Sequence, residues 1–246
     1  MTTDTPSVSP ALQPLIGFGD LKVWSVLVTI LGDLAAEDGA TVSGPALSAL
    51  TARMAIRPEA LRVALHRLRK DGWVQSQKFG RISLYALTAQ GLRETQAVQA
   101  RVYAASRPKV PSWFLVALPP DTTAPPHGLP LGHNFWLMDR PPTEHPGALV
   151  AEVMPGAFPE WVLDAGMPPP LQRVYTAWLA TLMALPPAPS DPLDRLAMRI
   201  LALHHWRRIV LKHSALAAAI QPPTWAGAEC RQRMAQLLAD LPRQSL

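Results

Sequence analysis

Basic side chains recur along one short stretch of the chain at spacings that suit a polyanion. Arg57, Arg62, His66, Arg67 and Lys70 fall within residues 57–70, and Lys78 and Arg81 flank Phe79-Gly80 just beyond. Guanidinium and ammonium groups neutralise phosphates, and a bidentate arginine also reads a guanine edge. If residues 58–70 are a helix, Leu61, Ala64, Leu65 and Leu68 share one face. Glu59, Arg62, Val63, His66 and Lys70 take the opposite face, with Arg67 at its edge. Buried leucines behind and bases in front is what a helix entering a major groove requires. An ordinary amphipathic surface helix has the same pattern. The two bases downstream, at the distance of a wing that follows the DNA backbone, distinguish the readings.

A second constellation lies near the other end. In a helix from Leu193 to Lys212, the residues Leu196, Ile200, Leu203 and Val210 form an apolar stripe, and Arg207 falls inside it by phase. His205, Arg208 and Lys212 form a separate outward face. A guanidinium on a core-facing stripe needs a partner, because an unpaired buried charge costs several kcal/mol. It is met by an internal salt bridge or by a stem that snorkels to water, or else by the phosphate or thioester end of an acyl-CoA. In the second case Trp206, Arg207, Arg208 and Lys212 hold the ligand, and Trp161, Trp178, Trp206 and Trp225 offer an aromatic wall. Core packing is the simpler use of those tryptophans.

No catalytic motif is present. Gly17-Phe18-Gly19 lacks the third glycine of a dinucleotide loop, and there is neither a Gly-x-Ser-x-Gly elbow nor a phosphate-binding P-loop. His204 and His205 are adjacent, so on a helix they point about 100° apart and cannot share a metal. His127, His133 and His145 lack metal-ligand spacing. Catalytic residues, metal ligands and cofactors are all expected to be absent. The lone cysteine, Cys230, excludes an intrachain disulfide. It reads as a small buried apolar residue, or as a redox sensor if Arg231 and Arg233 lower its pKa.

Charge sharpens the contrast between the two ends. The chain has 246 residues and a formal net charge of +5. Residues 53–109 hold twelve bases against three acids, whereas 1–52 hold one base and five acids, and 110–246 hold ten of each. Excess positive charge confined to one segment favours an anionic partner, nucleic acid first. The longest apolar run, Val23 to Leu34, is broken by Gly32-Asp33 and is too short for a bilayer, which takes about 20 residues. No membrane association and a reduced, cytoplasmic setting are expected.

The elements that must position these residues follow from periodicity and punctuation. A helix from Leu21 to Leu34 with Asp20 as its cap, a second from Pro45 to Ala52 capped by Ser43, and a third from Pro58 to Lys70 are expected. Trp73 to Gln77 and Ile82 to Leu87 alternate as strands of a hairpin, and Thr88 caps a helix to about Ala105. That order is a winged helix-turn-helix. The chain carries 27 prolines, about 11% against a norm of about 5%, and they crowd residues 108–170. Trp113 to Leu118, Asn134 to Met138 and Ala148 to Met154 read there as strands of a small sheet. The expectation is an α+β fold, mostly helical, in four parts: a flexible arm over 1–19, a winged helix over 20–106, a small-sheet domain over 107–160 and a helical domain over 161–246.

At these residues the sequence resembles a known family. Arg62 to Trp73, in the order Arg-Val-Ala-Leu-His-Arg-Leu-Arg-Lys-Asp-Gly-Trp, is similar to the recognition-helix segment of the PaaX family, repressors of phenylacetic acid catabolism. Gly80 to Thr88 resembles the family's wing, and Arg101-Val102-Tyr103 the Arg-Ile-Tyr that follows. His204 to Lys212 resembles its His-x-Trp-Arg segment, and Pro222 to Gly227 its Leu-Pro-x-x-Trp-x-Gly. The resemblance implies a homodimeric bacterial regulator with an N-terminal winged helix, a ferredoxin-like central domain and a C-terminal helical domain, released from DNA by an aryl-CoA thioester such as phenylacetyl-CoA. Two departures are visible. Pro119 to Pro130 leaves no room for a crossover helix, so the central sheet is a trimmed one, and Lys212-His213-Ser214 replaces the family's Arg-Asp-Pro.

Two functions remain at this point. One is a ligand-responsive regulator that binds double-stranded DNA as a homodimer, with a possible acyl-CoA thioester effector. The other is an acyl-CoA-handling enzyme that keeps a winged helix as an interaction module. The basic block favours the first, and the missing nucleophile–base pair weakens the second.

Overall fold

A computed structural model describes residues 8–37, 39–125, 127–154 and 156–244. The chain is α+β, about half helical, with two small antiparallel sheets. After a short 3-10 turn, Pro10–Leu12, come α1 (Gln13–Ile16), α2 (Val23–Leu34), β1 (Val42–Ser43), α3 (Gly44–Arg53), α4 (Pro58–Lys70), β2 (Val74–Phe79), β3 (Ile82–Leu87) and α5 (Ala89–Val102). Then follow β4 (Trp113–Ala117), β5 (Leu129–Gly132), β6 (Phe135–Met138), β7 (Leu149–Val153), α6 (Glu160–Gly166), α7 (Pro169–Met183), α8 (Pro192–Val210), α9 (Ala215–Ala219) and α10 (Ala226–Asp240).

These elements group into two compact units that are not contiguous in sequence. Unit 1 comprises Met1–Tyr103, Ala180–Ile209 and Arg233–Leu246, and unit 2 comprises Ala104–Leu179 and Val210–Gln232. The segment 161–246 is therefore shared between them.

In unit 1 the local chemistry sets the element ends. Ser43 caps α3 by accepting from the Ala46 amide at 3.2 Å, and Pro58 sits in the first turn of α4, where its missing N–H costs nothing. Ala55, at φ +59°, makes the tight connection between the two. Gly80, at φ +60°, takes the left-handed first position of the two-residue turn joining β2 to β3. Thr88 closes the hairpin at its base: its hydroxyl donates to the Gly72 carbonyl at 2.5 Å and accepts from the Gly91 amide. Gly91 cannot carry a side chain, because a Cβ would lie 2.4 Å from the Trp73 carbonyl oxygen. The core of this unit includes Leu27, Ile30, Leu31, Leu47, Leu50, Leu61, Leu65, Leu68, Leu196, Ile200 and Trp206.

Four expectations are corrected here. The cap of α2 is Lys22 rather than Asp20, and it makes no side-chain cap bond. The sheet of unit 1 has a third strand, because β1 pairs with β3; two residues are too few to show alternation. Residues 10–16 are not an arm but a helical segment whose Leu12 and Leu15 are fully buried, while residues 1–7 lie outside the described residues. Lastly, α8 is not amphipathic. Its residues 196–206 are all buried, including Arg199, His204 and His205. His205, expected on an outward face, bonds the Leu15 carbonyl at 2.8 Å through Nε2 and meets Phe18 edge-on.

In unit 2 the strand order is β5-β6-β4-β7, antiparallel throughout. The three expected strands are present, and β5 lies in what read as a proline loop; Pro130 sits at a bulge in it. Proline is tolerated at such a position because the ladder is already interrupted. One face of the sheet packs Trp113, Leu129 and Leu137 against Val162, Leu216, Ala217 and Ile220.

Candidate nucleic-acid interface

The side chains expected to touch DNA all lie in unit 1 and all are exposed: Arg57, Arg62, His66, Arg67, Lys70, Lys78 and Arg81. The helix α4 has the two faces its sequence promised. Leu61, Ala64, Leu65 and Leu68 are buried, and Val63 on the other side is 70% exposed. Arg69, which the sequence reading passed over, is exposed as well. It lies seven residues after Arg62, hence about 20° away around the helix. That phase was available in the sequence.

The bases are held to different degrees. Arg62 donates to Glu59 at 2.8 Å, both side chains being about 70% exposed. Such a pair is weak in water and releases its arginine at little cost. Arg67 is more committed: its Nε lies 3.5 Å from Asp71, and its guanidinium sits 5.7 Å above the ring of Trp24. Part of its work is therefore to seat α4 on α2. Arg67, Arg69 and Lys70 also stand in the last turn of α4, where positive charge complements the helix dipole. Lys78 and Arg81 have no such structural duty at the tip of the hairpin.

In the second constellation three of the four side chains have partners within unit 1. Trp206 is fully buried in unit 1 and donates its indole N–H to the Val102 carbonyl at 2.8 Å. Arg207 donates to the Ser25 hydroxyl and carbonyl at 2.8 and 3.1 Å, and burial lowers its pKa. Arg208 donates to the Asp20 carbonyl at 2.7 Å. Lys212 follows α8 and belongs to unit 2. Of the four tryptophans, Trp161 is 58% exposed while Trp178, Trp206 and Trp225 are buried. Trp225 stands 4.6 Å from Tyr175, ring to ring, and a Cβ on Gly227 would lie 2.3 Å from its indole.

One buried arginine with a carboxylate partner is Arg199, about two turns of helix before Arg207. It grips Asp33 with both ends of its fork, Nε to Oδ2 at 2.6 Å and NH2 to Oδ1 at 2.8 Å. Its remaining nitrogen donates to the carbonyls of Leu238 and Leu241. Tyr103 and Arg243 also donate to Asp33 Oδ1, at 2.8 and 3.1 Å. Burial pushes the Asp33 pKa up, but these donors outweigh it and hold the carboxyl below its usual range. Arg53 makes a further tie, to Asp194 at 2.9 Å. The partners are 166 and 210 residues apart in sequence for Asp33, so no local pattern announces them.

Cys230 is fully buried, donates to the Tyr175 carbonyl and has its pKa pushed up to about 12 by burial. The neighbouring arginines do not activate it, so the redox-sensor reading is withdrawn. Among the described residues there is no group of metal-ligating side chains, and no helix is long and apolar enough to cross a membrane.

Similarity to known proteins covers both ends of the chain. Residues 22–91 match the family model described as PaaX-like protein, and residues 170–245 match that of the PaaX-like protein C-terminal domain. The transcriptional repressor PaaX of Escherichia coli is 25% identical over 85% of this chain and 77% of its own. A solved structure of an uncharacterized protein from Mycobacterium tuberculosis shares the fold, with a TM-score of 0.56 at 17% identity over 90% of this chain and 96% of that one. With two family models in the same order and a relative aligned along most of its length, the chain belongs to the PaaX family.

Proposed function

We propose that the protein is a bacterial repressor that reads its operator with a winged helix formed by α3, α4 and the β2–β3 hairpin. The observation that carries this is the division of α4: leucines buried behind it, Arg62, Val63, His66 and Lys70 exposed in front, and the hairpin bases Lys78 and Arg81 beside it. In this reading α4 enters the major groove, where Val63 meets a thymine methyl and Arg62 a guanine. The wing bases neutralise phosphates, and the protein works in the cytoplasm, where the chromosome lies. The curated relative's description as a transcriptional repressor supports the assignment.

Counterion release gives the test. Binding to duplex DNA is expected to weaken with rising salt, with a log–log slope near −0.9 per neutralised phosphate. Arg81→Ala should flatten the slope by about one unit and weaken all sequences alike. Arg62→Ala should relax base preference at a cost of about 1–3 kcal/mol. Parental behaviour of both variants across a salt series in electrophoretic or fluorescence titrations refutes the assignment.

One winged helix reads one short half-site, so the repressor is expected to act as a homodimer on paired half-sites. Sedimentation equilibrium at micromolar concentration checks this; a monomer, free and DNA-bound, refutes it. The family resemblance further supports an acyl-CoA thioester effector. A cleft of about 710 Å³ in unit 2, between Arg107, Trp113, Glu152 and Phe158, is of a size to take part of such a ligand. Adding phenylacetyl-CoA to the DNA titration should lower affinity about 5- to 150-fold, the range of ordinary allosteric coupling.

A further inference from the structure

The hairpin tip carries an aromatic side chain that the fold does not use. Phe79, the last residue of β2, is 75% exposed, and its cross-strand partner Ile82 is 42% exposed. Directly opposed residues of an antiparallel pair point to the same side of the sheet. Phe79 and Ile82 therefore form one apolar point at the end of the hairpin. Alternation along β2 adds Gln77 and Gln75 to that side, both exposed, whereas Ser76 and Lys78 point to the other. Arg81 completes the tip within the turn.

The paired Phe79 and Ile82 leave an apolar point in water that is available to a partner. Its neighbours say which kind. Lysine is depleted at the cores of protein–protein interfaces, and here Lys78 and Arg81 bracket the phenyl ring on both sides in sequence. Apolar wedges bracketed by bases and amide side chains are how proteins enter the minor groove, where glutamine reads base edges and the wedge unstacks a base step.

We infer that the β2–β3 tip is a minor-groove wedge: Phe79, backed by Ile82, inserts at a base step and kinks the duplex, with Lys78 and Arg81 on the flanking phosphates and Gln77 toward base edges. This rests on the DNA-reading assignment above. It adds that the wing shapes the operator, so that sequence is discriminated by deformability at a step the recognition helix does not touch.

The experiment uses the full chain and a duplex recovered from a random-sequence library by binding to it, labelled at its two ends for energy transfer. The parent is expected to bring the ends together by a bend of about 20–90°. Phe79→Ser should abolish the bend and weaken binding about 5- to 150-fold, the effect of losing one aromatic–base contact. Its salt slope should stay parental, because no charge is removed. Phe79→Leu, which keeps a wedge, should retain the bend. Since the side chain is mostly in water, neither substitution should change the melting temperature. Parental binding to a straight duplex, or an unchanged bend in Phe79→Ser, overturns the wedge while leaving DNA reading intact. Failure to recover any duplex overturns both. Dissociation of a dimer by Phe79→Ser would assign the tip to protein contact and overturn the inference.

Discussion

Replacing Arg199 by methionine should destabilise the protein by about 3–5 kcal/mol, the range for leaving one partner of a buried ion pair uncompensated. The substitution strips Asp33 of its bidentate partner and leaves the Leu238 and Leu241 carbonyls without a donor. Arg243 and Tyr103 still reach Asp33, which keeps the loss within that range. For a chain of this size about 2–4 °C accompanies each kcal/mol, so the melting temperature should fall by roughly 6–20 °C. Circular dichroism melts check it. A fall of under two degrees would mean that the guanidinium is dispensable to unit 1.

Lowering the pH should produce the second large effect. His204 and His205 stand side by side in α8, with ring centroids 5.2 Å apart, and both are buried. Burial pushes their pKa values down from 6.5, to about 3 for His204 and about 4 for His205; the charge of Arg208 adds to this in both cases. The folded protein holds both rings neutral, while the unfolded chain protonates them near pH 6.5. Stability is therefore full above that pH and is lost as pH falls toward about 4 and then about 3. Each ring contributes a slope of about 1.4 kcal/mol per pH unit across its window. Thermal melts between pH 7.5 and 4 should show a steep decline, and His205→Asn, which keeps a donor for the Leu15 carbonyl without titrating, should make it shallower. Equal slopes in parent and variant would exclude His205 as the titrating group.

Sequence and structure agree where the determinants are local. Ser43, Pro58, Gly80 and Thr88 act within a few residues of themselves, and the elements they bound end within three residues of their expected ends, the largest difference being α5, which stops at Val102 rather than about Ala105. The exposed bases of α4 were legible because the leucine face fixes their phase. The failures are tertiary. A helix buried on every side, such as α8, has no periodicity to read, and its arginine at 199 looks like a surface residue until Asp33 is known to meet it. The segment 10–16 looked like an arm because its two buried leucines carry no pattern. Arg207 was rightly singled out as needing a partner, but the partner is the Ser25 hydroxyl and carbonyl, which no charge pattern signals. Phe79 was placed on the hairpin, yet its exposure depends on how far the hairpin projects from the helices.

The closure of unit 1 around Asp33 has a consequence for the order of synthesis. Asp33 emerges 166 residues before Arg199 and 210 before Arg243. At a bacterial elongation rate of about 5–20 residues per second, the first arginine follows after roughly 8–33 s, longer than most small domains need to fold. Through that interval the nascent helices α2 to α5 hold an acid whose counter-charges have not yet been translated, and the unit closes around it only after α8 and α10 have followed.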